Sequence, residues 1–272
     1  MLVFPGCKIN IGLNILNKRL DGYHNLQTIF YPIGIKDALE IIKAPHQQKP
    51  VSFSSSGISI PGSAEDNLCI KAYHLLKADF PSIAPVQMHL HKCIPMGAGL
   101  GGGSSDAAAA LELLNKLFEL KLPDESLMKY ALQLGSDCPF FLYNQPCLAT
   151  GRGEVLEPVS LDLTAYKILV VNPGIHINTA MAFKGIVPGV NNCDLRKIIE
   201  QPISTWKNEL INDFEQTVFT QQPAILHLKE TLYNAGALYA SMSGSGSSVF
   251  GIFEQNFNMP INLPEECFYK WV

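Results

Sequence analysis

The segment Pro95-Met96-Gly97-Ala98-Gly99-Leu100-Gly101-Gly102-Gly103-Ser104-Ser105 constrains this chain most, because it sets five glycines and two serines between a strand pattern and a helix pattern. Before it, Val86, Met88 and Leu90 alternate with Gln87, His89 and His91, the two-residue period of a half-buried strand, and Pro95 ends that run. After it, from Ser105 onward, Ala107, Ala110, Leu111, Leu114 and Phe118 fall at helical offsets, while Glu112, Asn115, Lys116 and Glu119 take the opposite face. A glycine loop leading into an amphipathic helix is a natural anion site. Glycine lets backbone N–H groups close on phosphate oxygens, and the unpaired first-turn N–H groups and the helix dipole favour negative charge there. A simple turn with Ser104 or Ser105 capping the helix would need far fewer glycines.

Gly97, Gly99 and Gly102 also satisfy the Gly-x-Gly-x-x-Gly spacing of dinucleotide-binding folds, but the context is wrong. The preceding strand alternates where that fold needs a strand apolar on both faces, and about 20 residues on, where it needs an acid at a strand end, lies the helix entry Leu122-Pro123-Asp124. No Gly-Lys-Ser or Gly-Lys-Thr follows the glycines, so the nucleoside-triphosphatase P-loop is excluded as well.

The 272 residues are enough for two modest domains, and with 47% hydrophobic and 16% charged residues each has apolar surface to bury. Twenty basic against 24 acidic residues leave a net charge of -4, so no overall positive field holds a nucleic acid or an anionic membrane, and neither is expected as a partner. No apolar stretch approaches the roughly 20 residues of a membrane span, and Met1 to Gly12 lacks the pattern of an export signal. The seven scattered cysteines form no Cys-x-x-Cys pair, which disfavours a disulfide framework or a zinc site and fits buried thiols in a reducing cytoplasm.

Short strands are expected at Ala38 to Ile42 and Val51 to Phe53, then a helix capped by Asp66 or Asn67 and running to Phe80. A further helix, about Asp124 to Leu134, ends at Gly135, which suits a left-handed helix terminus. Beyond Gly151-Arg152-Gly153 come a strand at Lys167 to Asn172 and helices near Asn208 to Thr220 and Ala224 to Asn234. Strands then return at Ala237 to Met242, Val249 to Phe253 and Cys267 to Val272. Mixed elements on both sides imply two α+β lobes, 1–155 and 156–272.

The loop Pro95 to Ser105 resembles the hallmark of the GHMP kinases, and the likeness extends over nearly the whole chain. Ser243-Gly244-Ser245-Gly246-Ser247-Ser248 resembles that family's C-terminal glycine motif. Lys8-Ile9-Asn10-Ile11-Gly12-Leu13 followed by Asp21-Gly22-Tyr23-His24 is similar to a branch whose substrates carry a cytidine diphosphate head. Cys7 stands where the family has alanine, a small-for-small change. The resemblance implies a ribosomal protein S5 domain 2-like N-terminal lobe, a ferredoxin-like C-terminal lobe, a monomer or weak dimer, and phosphoryl transfer from ATP, with Mg2+, to an alcohol.

Such transfer needs an acceptor for the hydroxyl proton and positive charge near the transferred group. The resemblance puts Asp137, in Leu134-Gly135-Ser136-Asp137-Cys138-Pro139, in the first role and Lys8 in the second. Read locally, Asp137 is equally a helix cap after Gly135, and Lys8 a solvated surface charge. For ATP the likeness carries over Pro95, Met96, Gly97, Ala98, Gly99, Leu100, Gly101, Gly102, Gly103, Ser104 and Ser105, with Asn67, Leu68 and Lys92 lining the adenosine pocket. For the cytidine end it carries over Asn10, Tyr23, His24, Thr179 and Phe183, although Phe183 alone reads as core and Tyr23-His24 as a loop. No carboxylate cluster marks Mg2+ ligands, which stay unassigned, with Ser105 at most a candidate. The alternatives are a GHMP kinase acting on mevalonate, homoserine or a sugar, or a non-catalytic nucleotide- or RNA-binding module, whose sign would be a basic surface.

Overall fold

The computed structural model describes residues 1–189 and 193–272, which divide into two compact units. The first comprises Met1–Cys7, Gly34–Met96 and Gly101–Asn144, and the second Lys8–Ile33, Gly97–Leu100 and Gln145–Val272. In chain order the elements are β1 (Leu2–Val3), β2 (Cys7–Lys18), β3 (His24–Ile33), β4 (Ala38–Lys43), β5 (Val51–Gly57), α1 (Leu68–Asp79), β6 (Val86–Lys92), α2 (Gly102–Leu117), α3 (Asp124–Leu134) and α4 (Cys138–Tyr143). They continue with β7 (Cys147–Thr150), β8 (Val155–Pro158), β9 (Tyr166–Asn172), α5 (Thr179–Lys184), α6 (Leu195–Ile199), a 3-10 turn (Ile203–Asn208), α7 (Phe214–Gln221), α8 (Pro223–Asn234), β10 (Tyr239–Met242), β11 (Val249–Glu254) and β12 (Phe268–Trp271).

In the first unit the sheet runs β1-β4-β6-β5, with β4 antiparallel and β5 parallel to β6. Val86, Met88 and Leu90 of β6 are buried and Gln87, His89 and His91 exposed, as the alternation predicts. Lys92 continues the buried phase, so a charged residue ends the apolar face. Helices α1, α2 and α3 contribute to the core on that face through Tyr73, Leu76, Leu111, Leu114 and Leu127. Each such side chain contributes about 1.5–3 kcal/mol of burial.

Asn67 caps α1, its Oδ1 accepting from the Cys69 N–H at 2.9 Å. Helix α2 begins at Gly102, three residues before the expected Ser105, because the apolar periodicity used to find its start is missing from glycines that nonetheless take helical geometry. Gly101, left-handed at φ 70°, turns the chain into it. Helix α3 matches expectation, but Gly135 corrects one detail: at φ 170° and ψ 155° it is extended, not left-handed. Room explains the glycine better, since a Cβ there would lie 3.3 Å from Cys138 Sγ.

The second unit holds two sheets, β2-β3-β7-β8 and β10-β11-β9-β12. Strands β2 and β3 lie outside the segments named as strands; in β2 the polar Lys8, Asn10 and Asn14 alternate with Ile9, Ile11, Leu13 and Ile15, and both sets are buried. Helices α7 and α8 bury Phe214, Val218, Ile225, Leu228 and Leu232 with strand residues Leu169, Val171, Val249 and Phe253. Helix α7 starts later than expected because 211–213 pairs with β2, the Leu13 N–H donating to Ile211 O and the Asp213 N–H to Leu13 O, both at 2.9 Å. None of the seven cysteines forms a disulfide, and five are buried. Among the described residues no helix is long and apolar enough to cross a membrane.

Candidate active site

In the first unit a cleft is lined by Asn67, Leu68, Leu90, Lys92, Met96, Gly103 and Asp106, bringing the three residues expected at adenosine beside two of the glycine loop. Asn67 spends its carbonyl oxygen on capping α1, which leaves its NH2 as the donor for a ligand. Lys92 is fully buried and donates to Asp37 Oδ2 and, at 2.8 Å, to Asp106 Oδ2. Asp37 also accepts from the backbone N–H groups of Cys93 at 2.6 Å and Ile94 at 2.9 Å, which fixes the chain entering the glycine loop. Asp106 Oδ1 is buried without a hydrogen-bond partner. Burial pushes the Asp106 carboxyl up, with Asp37 adding to the effect and Lys92 opposing it. Burial likewise opposes the charge on Lys92, but the two carboxylates outweigh it and hold the lysine protonated. One lysine therefore serves two acids. Asp37 and Asp106 were missed by sequence reading, although an acid directly after Ser104-Ser105 was the available signal.

Asp137 is half-buried and occupies the N-cap position of α4. Its side chain makes no cap hydrogen bond, so the expected alternative role as a helix cap is not the one it plays. Burial pushes the neighbouring Cys138 thiol up to about 12, making it a neutral packing group. Among the described residues no group of three His, Cys, Asp or Glu side chains could hold a metal ion.

In the second unit Lys8 is 3% exposed on β2, contrary to a solvated surface charge. Its Nζ donates to Asn10 Oδ1 and lies 4.6 Å from the centre of the Phe30 ring. Asn10 Nδ2 in turn donates to Thr28 Oγ1 at 3.0 Å, so both ends of its amide are engaged. The Lys8 backbone N–H donates to Leu100 O at 3.0 Å, which ties the strand bearing the amine to the glycine loop. The two glycine motifs lock together there. Ser243 Oγ donates to Gly99 O at 2.8 Å, the Ser248 N–H to Ala98 O at 3.1 Å, and a Cβ on Gly99 would lie 1.9 Å from Ser243 O.

The residues expected at the cytidine end also belong to this unit. The His24 and Phe183 rings stack at 4.6 Å and 13°, with Phe214 edge-on to Phe183 at 4.8 Å. Phe183 is thus packed against the core and, on its face, against His24. Burial, followed by the Lys18 charge, lowers the His24 pKa, so the imidazole is neutral near pH 7 and offers one donor and one acceptor. Tyr23 is exposed, with the Arg152 guanidinium 4.9 Å from its ring centre. Arg152 was another omission, signalled only by its flanking glycines. The turn carrying Tyr23 is braced by Arg19, whose guanidinium grips Asp21 at 2.9 to 3.1 Å. Thr179 Oγ1 lies 3.1 Å from Ser245 Oγ, and Asn10 shares its side-chain bonds with Lys8, Thr28 and Ser243.

Known proteins resemble this chain along most of its length. The family description "GHMP kinases N terminal domain" matches residues 67–145, and "GHMP kinases C terminal" matches residues 199–257. The chain is 49% identical to 4-diphosphocytidyl-2-C-methyl-D-erythritol kinase of Bacteroides thetaiotaomicron, over 96% of this chain and 94% of that protein. A crystal structure of 4-(cytidine 5'-diphospho)-2C-methyl-D-erythritol kinase superimposes with a TM-score of 0.80 at 30% identity, covering 93% of this chain and 90% of that one. Mevalonate kinase of Methanococcus jannaschii shares the fold, with a TM-score of 0.68 at 13% identity over 94% and 92% of the two chains. With both family domains matched and a relative alike over nearly its whole length, the chain belongs to the GHMP kinases.

Proposed function

We propose that this chain transfers the γ-phosphoryl group of ATP to the 2-hydroxyl of 4-diphosphocytidyl-2-C-methyl-D-erythritol, releasing ADP. The observation that carries this reading is the 49% identity to a kinase of that name across 96% of the chain. The cleft of Asn67, Leu68 and Lys92 receives adenosine, and the glycine loop and the first turn of α2 receive the phosphates. Asp137 accepts the hydroxyl proton as the oxygen attacks phosphorus. Lys8 supplies positive charge to the reacting oxygen, and Asn10 is a positioning residue for that amine. Neutral His24 reads the cytosine edge, with Tyr23 and Phe183 offering ring faces and Thr179 a hydroxyl. Mg2+ would accompany ATP and supply charge neutralisation at its phosphates, with Ser105 the candidate protein ligand.

The boundary near residue 155, a cytoplasmic location and a monomer or weak dimer complete the proposal; the two family matches fall on either side of that boundary. The test is ADP release with the cytidylylated substrate against methylerythritol 4-phosphate, mevalonate and homoserine. The cytidylylated compound should give by far the highest kcat/KM, because binding energy at the remote head positions the hydroxyl. Equal turnover of a compound lacking cytidine would remove the substrate assignment.

A further inference from the structure

Neither glycine loop, Pro95 to Ser105 or Ser243 to Ser248, contains a basic side chain. Within the second unit, however, one exposed imidazole lies against the first loop. Residues 174–178 lead from β9 to α5 without regular structure, and alternate residues there are clipped to the Ser243 to Ser248 loop. Ser247 Oγ donates to Ile175 O, Ile177 Cγ1 would lie 3.5 Å from a Cβ on Gly246, and Thr179 faces Ser245. Between these anchors His176 meets Gly97: a Cβ built on that glycine would lie 3.5 Å from Nδ1 and 3.7 Å from Cε1 of the ring. Gly97 is left-handed, with φ at 60°, and has no side chain to stand between the ring and whatever approaches its backbone. Either tautomer of His176 carries one N–H donor.

We propose that His176 contacts phosphate, donating its ring N–H to an oxyanion of a nucleotide held at the glycine loop. The inference rests on the kinase reading, which brings two such groups to the protein: the triphosphate of ATP and the diphosphate of the cytidine substrate. Their shared chemistry is a nucleotide phosphate oxygen, and a ring braced by the second loop meets it with little loss of freedom on binding. His176 stands three positions before Thr179 in the segment that carries Thr179 and Phe183, yet the resemblance gives it no role; only the fold puts it beside Gly97.

The test is calorimetric binding of ATP, adenosine, CDP and cytidine to the full chain and to His176→Ala and His176→Gln. Loss of a hydrogen bond to a charged group should weaken ATP about tenfold while leaving adenosine unchanged. Gln, which retains an N–H donor, should recover most of the loss. Weakening of CDP relative to cytidine, with ATP unaffected, would identify the substrate diphosphate as the partner and equally uphold the contact. The proposal is overturned if both nucleotides bind His176→Ala as they bind the wild type, or if adenosine or cytidine loses as much as its phosphorylated form. Failure of the wild type to bind either nucleotide would remove the kinase reading itself, and this inference with it.

Discussion

Replacing Lys92 with methionine keeps most of the aliphatic stem and removes one buried charge, leaving Asp37 and Asp106 facing each other. The side chains of Lys92 and Asp37 are 0% exposed and that of Asp106 4%, so solvent cannot screen the loss. Breaking a buried pair from one side costs about 3–5 kcal/mol, because the abandoned charge stays desolvated. At roughly 2–4 °C per kcal/mol for a chain of this size, the Tm should fall by about 6–20 °C at pH 8. Asp37 keeps the N–H groups of Cys93 and Ile94, whereas Asp106 Oδ1 has no hydrogen-bond partner and burial already pushes that carboxyl up, so Asp106 is the group that takes up a proton. The deficit should therefore shrink as the pH is lowered to 6. Thermal unfolding followed by circular dichroism at the two values makes the comparison. A Tm within 2 °C of wild type at pH 8, or a deficit independent of pH, would refute the argument that one lysine neutralises two buried acids.

Four further variants have expected outcomes. Asp137→Asn should lower kcat by about 10²-fold or more with ATP binding retained, and Lys8→Ala should likewise affect kcat more than ATP affinity; near-normal turnover removes either residue from the catalytic set. Gly103 has open space where a Cβ would stand, so Gly103→Ala should leave the Tm unchanged or slightly raised yet weaken ATP at least about tenfold, and normal ATP affinity would exclude the phosphate cradle. The Asp106 carboxyl is raised from 3.8 to about 7 in the folded chain, so its contribution to stability is present below pH 4 and is lost as the pH rises through about 7. Asp106→Asn should flatten that part of a Tm-against-pH curve, and an unchanged slope would assign the dependence to other groups.

The glycine loop was legible because glycine and serine in that density have few uses, and the strand and helix beside it announced themselves by period. Asn67 as the cap of α1 was legible for the same local reason. The burial of Lys8 was not, because polar residues at alternate positions of a strand read as a wet face, and only tertiary hydrogen bonds such as those of Asn10 and Thr28 make that face dry. The buried cluster around Lys92 was half legible. A lysine in the apolar phase of β6 stands out, but its partners lie 55 and 14 positions away and follow no local rule. His24 and Phe183, found as separate motif residues, become one stacked pair only through the fold.

The interlocking of Gly99 with Ser243 bears on how such a chain can diverge or be redesigned. Two segments separated by 144 positions behave as a single unit of heredity, since the carbonyl of one fills the volume a side chain on the other would need. Libraries that randomise 97–100 alone should yield mostly inactive clones. Varying 97–100 jointly with 243–248 explores combinations in which backbone shifts in one segment are matched by the other. Recombination between distant relatives with a crossover anywhere from 101 to 242 would separate the two segments and should favour parents whose paired loops already agree.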